Sequence, residues 1–413
     1  MDSNFQAARI ATSREESMFK GDLDARSQDV SSAVEGKRIL AIGAAGSIGS
    51  STIRTIAGFA PRAIHVIDQN ENALAELVRQ LRSAPEPFRV EDFQLLPLDY
   101  GSALTRAFIA ENGPYDLVLN FAAIKHVRSE KDPFSILQML DTNLVKQARF
   151  LAMLTDLTPK SGYFSVSTDK AANPSSFMGA TKRAMEHVLF SEATASGFEG
   201  RITSARFANV AFSNGSLLQS FENRMARGEP IAAPQGIRRY FVSLEESGHI
   251  CTLASLFLDR SRIGVPDLDP ESHLVPLTDV AEGFITARGF EPAIYHDETE
   301  ARLAVGNDRA RGRWPLLLTP GDTAGEKPYE EFVARGEEVV ETGLAAIRAV
   351  VYNPLARPDI LSQVLSELEA TLTEPSAHSG LLDKNALKQL IGRLEPAFLE
   401  SHVDSALNLD QRV

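Results

Sequence analysis

The first half of the chain alternates between short apolar runs and longer segments of helical character. The apolar runs predict strands at 38–42, 63–67, 93–98, 115–120 and 162–167. The segments between and after them predict helices at 50–58, 72–82, 104–111, 133–155 and 179–196. Strands that alternate with helices of this length form a parallel sheet with helices on both faces. Because the strands are almost continuously apolar, we expect an α/β fold with a doubly wound parallel sheet buried on both sides.

A glycine cluster separates the first predicted strand from the first predicted helix. It spans residues 43–49 with the spacing GxxGxxG, and its candidate cofactor contacts are Gly43, Gly46, Ser47, Ile48 and Gly49. Glycines at such a turn let the backbone approach a pyrophosphate, which then rests on the helix N-terminus. Asp68 ends the second strand, where a carboxylate can accept both hydroxyls of an adenosine ribose and would repel a 2′-phosphate. The sequence therefore predicts a Rossmann-type site for NAD rather than NADP.

Asp99 ends the third predicted strand, and two interpretations of it stay open. Its carboxylate could face the adenine edge of the dinucleotide. It could equally cap the helix that follows.

The rhythm of strands and helices divides the chain into four predicted regions. Residues 1–35 are polar and aperiodic and predict an extension that lies over the main domain. Residues 36–210 predict the NAD-binding Rossmann domain, and segments near 241–275 are expected to return to it. Residues 211–340, where glycine and proline become frequent, predict a smaller mixed substrate-binding domain. Residues 341–413 predict a C-terminal helical region, since the sequence is mostly helical in character from Tyr329 onward.

Composition excludes several classes of protein. The formal net charge of −13 disfavours nucleic acid or an anionic membrane as a partner. Cys251 is the only cysteine, so we predict a buried core thiol, no intramolecular disulfide and no cysteine-rich zinc site, and we assign no residues to a metal. No apolar run approaches about 18 residues, which predicts no membrane insertion. The first 35 residues lack the apolar core of a secretory signal, so we expect a cytoplasmic protein.

Candidate chemistry follows the fifth predicted strand, on the side where open parallel sheets bind their ligands. The strand ends in Ser167, Thr168, Asp169 and Lys170. Met178 and Lys182 follow in the next predicted helix.

At these residues the sequence resembles the extended short-chain dehydrogenase/reductases. More narrowly, it resembles the UDP-N-acetylglucosamine 4,6-dehydratases of the CapD-like polysaccharide biosynthesis family. The matching segments are AAIKHV at 122–127, STDKAANP at 167–174, MGATKR at 178–183, RFANV at 206–210, RYF at 239–241 and GEKPYEE at 325–331. The resemblance places Ala122 beside the cofactor.

The resemblance implies a reaction in which hydride leaves sugar C4 for NAD, water is lost across C5 and C6, and hydride returns to C6. It implies Asp169 as the acid at C6 and Lys170 as the base at C5. Lys182 is expected to hold the nicotinamide ribose, and Thr168 or Ser167 to bind the C4 oxygen. The pKa of Lys170 must then be lowered, and we expect Lys182 and the positive nicotinamide to lower it.

Met178 stands where most of the wider family has a tyrosine base. A thioether can neither give nor take a proton. This subgroup of dehydratases often has methionine here, so we interpret the site as active and take Asp169 as the candidate base for the C4 hydroxyl. An impaired site is the alternative.

The substrate is predicted to contact Lys125, Asn209, Ser216 and Arg239. Asn209 and Arg239 could bind the diphosphate, and the loop 213–216 could offer backbone N–H groups to it. His126 follows Lys125 and is given little weight, because a lone histidine is more often structural. Two positions depart from the family pattern, which has an arginine in place of Asn214 and Arg-Pro in place of 323–324.

The sequence thus predicts a nucleotide-sugar 4,6-dehydratase that acts on a UDP-N-acetylhexosamine, with UDP-N-acetylglucosamine as the expected substrate. Two alternatives stay open, a C4 epimerase or reductase of the same family and a catalytically silent NAD-binding regulator. By analogy with the wider family we expect a homo-oligomer.

Overall fold

The computed structural model describes residues 3–84, 88–125, 130, 132–192, 197–321 and 327–402. Its strands β1 to β16 are, in order, Arg38–Ile42, Ala63–Ile67, Asp92–Leu96, Leu117–Asn120, Gly162–Val166, Ile202–Ala205, Asn209–Val210, Ile231–Pro234, Arg238–Arg239, Phe241–Val242, Arg262–Pro266, Val275–Pro276, Glu291–Tyr295, Arg313–Thr319, Val339–Glu341 and Ile347–Val351.

The helices complete the framework. Helices α1 to α17 are, in order, Ser3–Thr12, Lys20–Ala25, Ser27–Val34, Ser47–Ala57, Glu71–Arg82, Ala103–Asn112, Pro133–Leu140, Lys146–Leu157, Phe177–His187, Leu217–Arg227, Leu244–Phe257, Pro270–His273, Leu277–Ala287, Glu298–Ala310, Pro358–Thr373, Lys384–Gly392 and Pro396–Ser401. Two π-helical turns, Asp141–Val145 and Val188–Glu192, follow α7 and α9 directly.

The central sheet has the strand order β15-β16-β11-β6-β5-β4-β1-β2-β3. The seven strands β11-β6-β5-β4-β1-β2-β3, neighbours in this order, pair in parallel. Strand β16 pairs antiparallel with β11 and with β15. The strand order reverses between β1 and β4, so the carboxyl ends of these two strands open a crevice suited to a ligand. The predicted α/β fold with a doubly wound parallel sheet is confirmed.

A second, smaller core lies beside the central one. It is built around the parallel three-stranded sheet β13-β14-β8 and includes Phe221, Phe284 and Trp314, all fully buried. Ala11 of α1 belongs to this core, whereas Val30 and Val34 of α3 belong to the central core. The N-terminal helices therefore contact both cores.

Several segments after residue 240, among them α11, β11, β15 and β16, also belong to the central sheet region. Helix α11 packs against α4, and it carries the buried Cys251, as predicted. The expectation of mostly helical structure from Tyr329 onward is wrong at β15 and β16, which extend the central sheet. Ile347, Ala349 and Val350 of β16 are buried, so this strand contributes to the central core.

The described part of the chain contains no helix with both the length and the apolar character needed to cross a bilayer. Nor does it bring together three or more histidine, cysteine or acidic side chains in a group that could hold a metal ion.

Candidate active site

A cavity of about 1060 Å³ opens at the carboxyl ends of β1, β2, β4 and β5. Every predicted site residue lines it except Asp169; these are Gly43, Gly46, Ser47, Ile48, Gly49, Asp68, Asp99, Ala122, Lys125, Ser167, Thr168, Lys170, Met178, Lys182, Asn209, Ser216 and Arg239. His126 and the positions 323 and 324 lie outside the described residues.

The glycine turn has no room for side chains at two of its positions. Gly43 has φ +65°, and a Cβ atom there would lie 2.6 Å from the Ala122 backbone nitrogen. A Cβ atom at Gly49 would lie 2.4 Å from Ala44 Cα, so this glycine lets α4 approach the turn. Gly46 is the N-cap of α4 and its extended backbone leaves the helix N-terminus open toward the cavity. The turn can therefore bring backbone close to a pyrophosphate.

Asp68 stabilises this turn through hydrogen bonds and also lines the cavity. Its carboxylate accepts backbone N–H groups from Ala45 at 3.1 Å and Asn70 at 2.9 Å. Burial raises the pKa of Asp68, although these two N–H groups act in the opposite direction. Each carboxylate oxygen keeps a second lone pair with which to accept a ribose hydroxyl.

Asp99 does not cap the following helix. The cap of α6 is Ser102, whose hydroxyl accepts the Thr105 N–H at 3.2 Å. Asp99 instead pairs with Lys146 and accepts the Gly101 N–H at the cavity wall. The capping interpretation is therefore wrong, because the serine three residues after Asp99 has the right position.

Thr168, Asp169 and Lys170 form one hydrogen-bonded cluster. The Oδ1 atom of Asp169 accepts from Thr168 Oγ1 at 2.8 Å, from the Lys170 N–H at 2.9 Å and from Lys170 Nζ at 3.0 Å. Asp169 is only 1% exposed, and its Oδ2 atom has no hydrogen-bond partner in the described part of the chain. Asp169 lies behind the wall, so Thr168 and Lys170 separate its carboxylate from the cavity.

Ser167 and Thr168 differ in what their hydroxyls can do. Ser167 Oγ donates to Glu186 Oε1 at 2.6 Å. Glu186 also accepts from the buried Arg206 at 2.8 Å and 2.7 Å. Because the Ser167 hydroxyl is engaged with this ion pair, the geometry favours Thr168 as the partner of a substrate oxygen.

The protein groups around Lys170 favour its protonated form, contrary to expectation. Burial alone would lower the pKa of Lys170, but the carboxylates of Asp169 and Glu330 raise it, and their effect prevails. Lys182 does not contribute to this balance. It lies apart, with Nζ donating to the Val166 carbonyl at 2.7 Å, and burial lowers its own pKa to about 7 against the effect of Glu186.

Glu330 is a site residue to which sequence reasoning gave no role. It is 4% exposed and accepts from Lys327 Nζ at 3.2 Å. Burial raises the pKa of Glu330 and Asp169 raises it further, while Lys170, Lys327 and Arg239 lower it. The family motif at 325–331 pointed to this segment from the sequence. Only the fold shows that Glu330, within the motif, lies near Lys170 at the end of β5.

Met178 lines the cavity from the first turn of α9. Its backbone N–H donates to Glu130 Oε1 at 2.9 Å, and its thioether offers no titratable group to the site. The next residue, Gly179, explains how closely α9 approaches the reacting cluster. A Cβ atom at Gly179 would lie 2.6 Å from the Lys170 carbonyl oxygen.

The loop 213–216 does not offer the N–H groups expected of it. The N–H groups of Asn214, Gly215 and Ser216 donate to Ser47 Oγ, Gln219 Oε1 and the Ser213 carbonyl. Ser216 caps α10 by accepting the Gln219 N–H at 3.3 Å. The start of α10, at Leu217 and Leu218, borders the cavity and is the remaining helix N-terminus on this side.

Three further predicted substrate residues line the cavity. Asn209 Nδ2 donates to the Tyr240 carbonyl at 3.4 Å. Arg239 is buried, and its guanidinium donates to the carbonyls of Arg238 at 2.8 Å and Lys327 at 2.9 Å. Lys125 is exposed within the open cavity, yet the surrounding protein lowers its pKa through desolvation.

A buried ion-pair network behind the cluster was also not anticipated. It joins Arg206 and Arg183 to Glu186 and Glu337, with N–O distances from 2.6 to 3.0 Å. Arg206 is fully buried and also donates to the Phe332 carbonyl at 3.0 Å. The network fixes α9 and the end of β6 against the segment that carries Glu330.

A family match covers most of this framework. Residues 39–351 match the family described as polysaccharide biosynthesis protein. The chain belongs to this family. The recognition based on the sequence motifs is therefore confirmed.

Three curated relatives of this polysaccharide biosynthesis protein resemble it in sequence. An uncharacterized membrane protein of Methanocaldococcus jannaschii is 29% identical over 75% of this chain and 84% of that protein. The capsular polysaccharide biosynthesis protein CapD of Staphylococcus aureus is 29% identical over 75% of this chain and 47% of CapD, so the chain spans about half of CapD. The inverting UDP-N-acetylglucosamine 4,6-dehydratase of Campylobacter jejuni is 26% identical over 51% of this chain and 61% of that enzyme.

Solved structures show the same fold. The X-ray structure of Pen from Bacillus thuringiensis matches with a TM-score of 0.61 at 19% identity, covering 80% of this chain and 98% of that one. The structure of MoeE5 in complex with UDP-glucose and NAD matches with a TM-score of 0.53 at 16% identity, covering 81% of this chain and 99% of that one.

Proposed function

We propose that this member of the polysaccharide biosynthesis family is an NAD-dependent 4,6-dehydratase of a UDP-N-acetylhexosamine, with UDP-N-acetylglucosamine as the substrate. The observation that carries the proposal is the hydrogen-bonded cluster in which Thr168 and Lys170 line the cavity beside Met178 and Asp169 lies directly behind them. This cluster offers an acid and a base at one point, and Met178 occupies the position where most of the wider family has a tyrosine. The similarity to a protein named as such a dehydratase supports the same reaction.

The residues around the glycine turn fit NAD. Gly43 and Gly49 let the turn pack closely against Ala122 and Ala44, and Asp68 presents a carboxylate at the end of β2. That carboxylate accepts ribose hydroxyls and repels a 2′-phosphate, which favours NAD over NADP. When bound, NAD would accept hydride from sugar C4 and return it to C6, and its positive charge would favour the neutral form of Lys170.

The reacting cluster can move the protons that this reaction requires. Thr168 binds the C4 oxygen, and Asp169 takes the C4 hydroxyl proton through the Thr168 hydroxyl, from which it accepts at 2.8 Å. Asp169 then gives this proton, again through the Thr168 hydroxyl, to the departing C6 hydroxyl, which leaves as water. Lys170 removes the C5 proton and later returns it to C5. Both side chains finish in the protonation state in which they began.

The remaining cavity residues hold the nucleotide end of the substrate in this proposal. Arg239 and Asn209 line the cavity, and the start of α10 supplies a helix N-terminus for the diphosphate, whereas Lys125 is expected near the sugar. The loop 213–216 forms part of the cavity wall, but the N–H groups of residues 214–216 already donate to other protein groups. A cytoplasmic location and homo-oligomerisation stay predictions.

Incubation of the purified protein with UDP-N-acetylglucosamine and NAD, followed by mass spectrometry, tests the function. The expected product has lost the mass of one water, and NADH does not accumulate because hydride returns to the sugar. A product of unchanged mass with inverted C4 would indicate an epimerase instead. Bound NAD with unchanged sugar, repeated with other UDP-hexosamines, would indicate a silent binding protein.

A further inference from the structure

The loop 171–176 joins the reacting cluster to α9. Its backbone accepts hydrogen bonds from side chains of distant segments of the chain. Three successive backbone carbonyls in it, those of Asn173, Pro174 and Ser175, each accept from a side chain far away in sequence. The donors are Lys327 Nζ, Ser401 Oγ at 2.7 Å and His402 Nδ1 at 2.9 Å. Because a carbonyl can only accept, the His402 ring carries its proton on Nδ1 in this arrangement.

The first residue of α9 is held by the same C-terminal segment. The Phe177 ring contacts the rings of Phe398 and His402 edge-on, with centroid distances of 5.2 Å in both cases. Phe177 and Phe398 are fully buried, and His402 is 5% exposed. Such a desolvated aromatic cluster is directional, because edge-to-face rings have a preferred geometry.

The last turn of α9 is held as well. Glu395 accepts from His187 Nε2 at 2.6 Å and lies 3.4 Å from Arg183 Nε. Lys388 Nζ donates to the His402 carbonyl at 3.0 Å, which fixes the end of the segment to α16. Residues 395–402 therefore contact α9 at both ends and the loop before it.

Displacement of α9 would reach the reacting cluster directly. Gly179 packs its Cα against the Lys170 carbonyl, and Met178 lies one residue earlier on the cavity wall. Helix α17 has six residues, which is too short for stability on its own, so its position depends on these contacts.

We propose that residues 395–402 form a C-terminal clamp that positions the loop 171–176 and α9 for catalysis, with Ser401 and His402 as positioning residues. The clamp touches neither substrate nor cofactor and acts through Lys170 and Met178. Its catalytic consequence rests on the proposed dehydratase function, whereas its effect on the loop does not.

Amide hydrogen exchange on the 413-residue chain, with and without NAD, tests the clamp independently of turnover. In His402→Ala and in the milder Ser401→Ala, we expect faster exchange of the amides in 171–178 and unchanged exchange in β1 and β2. His402→Asn keeps a side-chain N–H donor and should restore part of the protection. His378→Ala, an exposed histidine of the same C-terminal region, is the matched control.

The kinetic arm separates a positioning role from general destabilisation. We expect kcat to fall about tenfold in His402→Ala, because small displacements of reacting groups are costly, while KM and NAD affinity change little. Unchanged exchange in 171–178 for both Ser401→Ala and His402→Ala would overturn the clamp. An equal loss in His378→Ala would overturn it too. A wild-type protein without dehydratase activity would instead overturn the proposed function, and the exchange data would still decide on the clamp.

Discussion

Lys170 Nζ lies 3.0 Å from Asp169 Oδ1, so the proposed base and the proposed acid form a single ion pair in the resting protein. The pair cannot start the reaction in this form, because Lys170 must be neutral to accept the C5 proton. Asp169 and Glu330 both favour the protonated lysine. The protein groups around Lys170 thus favour the ion pair over the neutral lysine that the proposed reaction requires.

Lys170→Ala should abolish dehydration and leave NAD bound. Loss of a general base costs about 10²- to 10⁴-fold in rate, whereas Lys170 lies away from the glycine turn. Turnover of UDP-N-acetylglucosamine measures the loss of dehydration. Titration of the same preparation with NAD measures whether cofactor binding is retained. Lys160→Ala, at an exposed position, serves as the control. Retained turnover in Lys170→Ala would remove this lysine from the mechanism.

Glu330→Gln should move the acid limb of the kcat/KM profile to lower pH. Removal of a negative charge near Lys170 lowers the pKa of the lysine, so the neutral base appears at lower pH. A purely structural Glu330 would change the rate without moving the limb. The pH profile of Glu338→Gln, which lies exposed in the same region, should match the wild type.

Asp68→Ala should weaken NAD binding about tenfold or more, because hydrogen bonds from ribose hydroxyls to a carboxylate are lost. Discrimination against NADP should weaken in the same variant. Fluorescence titration with both cofactors measures these changes, with Glu76→Ala on the exposed face of α5 as the control. Unchanged NAD affinity would contradict the ribose assignment.

Gly43→Ala should abolish NAD binding as well as lower stability. The added Cβ meets the Ala122 nitrogen at 2.6 Å, in addition to the strain of φ +65°. Gly236→Ala is a matched control, since Gly236 has φ +73° with open space around it. The control should lose only about 1 kcal/mol of folding free energy, because alanine is strained at this positive φ, and it should bind NAD normally. Equal losses in both variants would show that the close approach to Ala122 is unimportant.

Lys182 should make the cofactor-free protein more stable as the pH rises from about 7 toward 10. Burial lowers the folded-state pKa of Lys182 to about 7, while the unfolded chain keeps its ordinary pKa, so the unfolded state binds more protons in this window. Stability then increases with pH. Lys182→Met should flatten this dependence in denaturant titrations at several pH values. A wild-type slope that persists in Lys182→Met would assign the dependence to other groups.

The sequence alone determined the parallel sheet, the glycine turn and the residues of the cavity wall. Apolar runs such as 38–42 specify buried parallel strands, and a strand end such as Lys170 necessarily faces the carboxyl edge of the sheet. Local patterns of this kind require no knowledge of distant contacts. They also carried the family recognition, since the motifs follow these strand ends.

Tertiary structure decided the electrostatics and the partners of the site. The protonation of Lys170 depends on Glu330, far along the chain, and Ser167 differs from its neighbour Thr168 only because Glu186 and Arg206 lie behind it. Likewise, the loop 171–176 takes its hydrogen bonds from Ser401 and His402. Charge and burial depend on which groups the fold brings together, and such long-range packing leaves no periodic trace in the sequence.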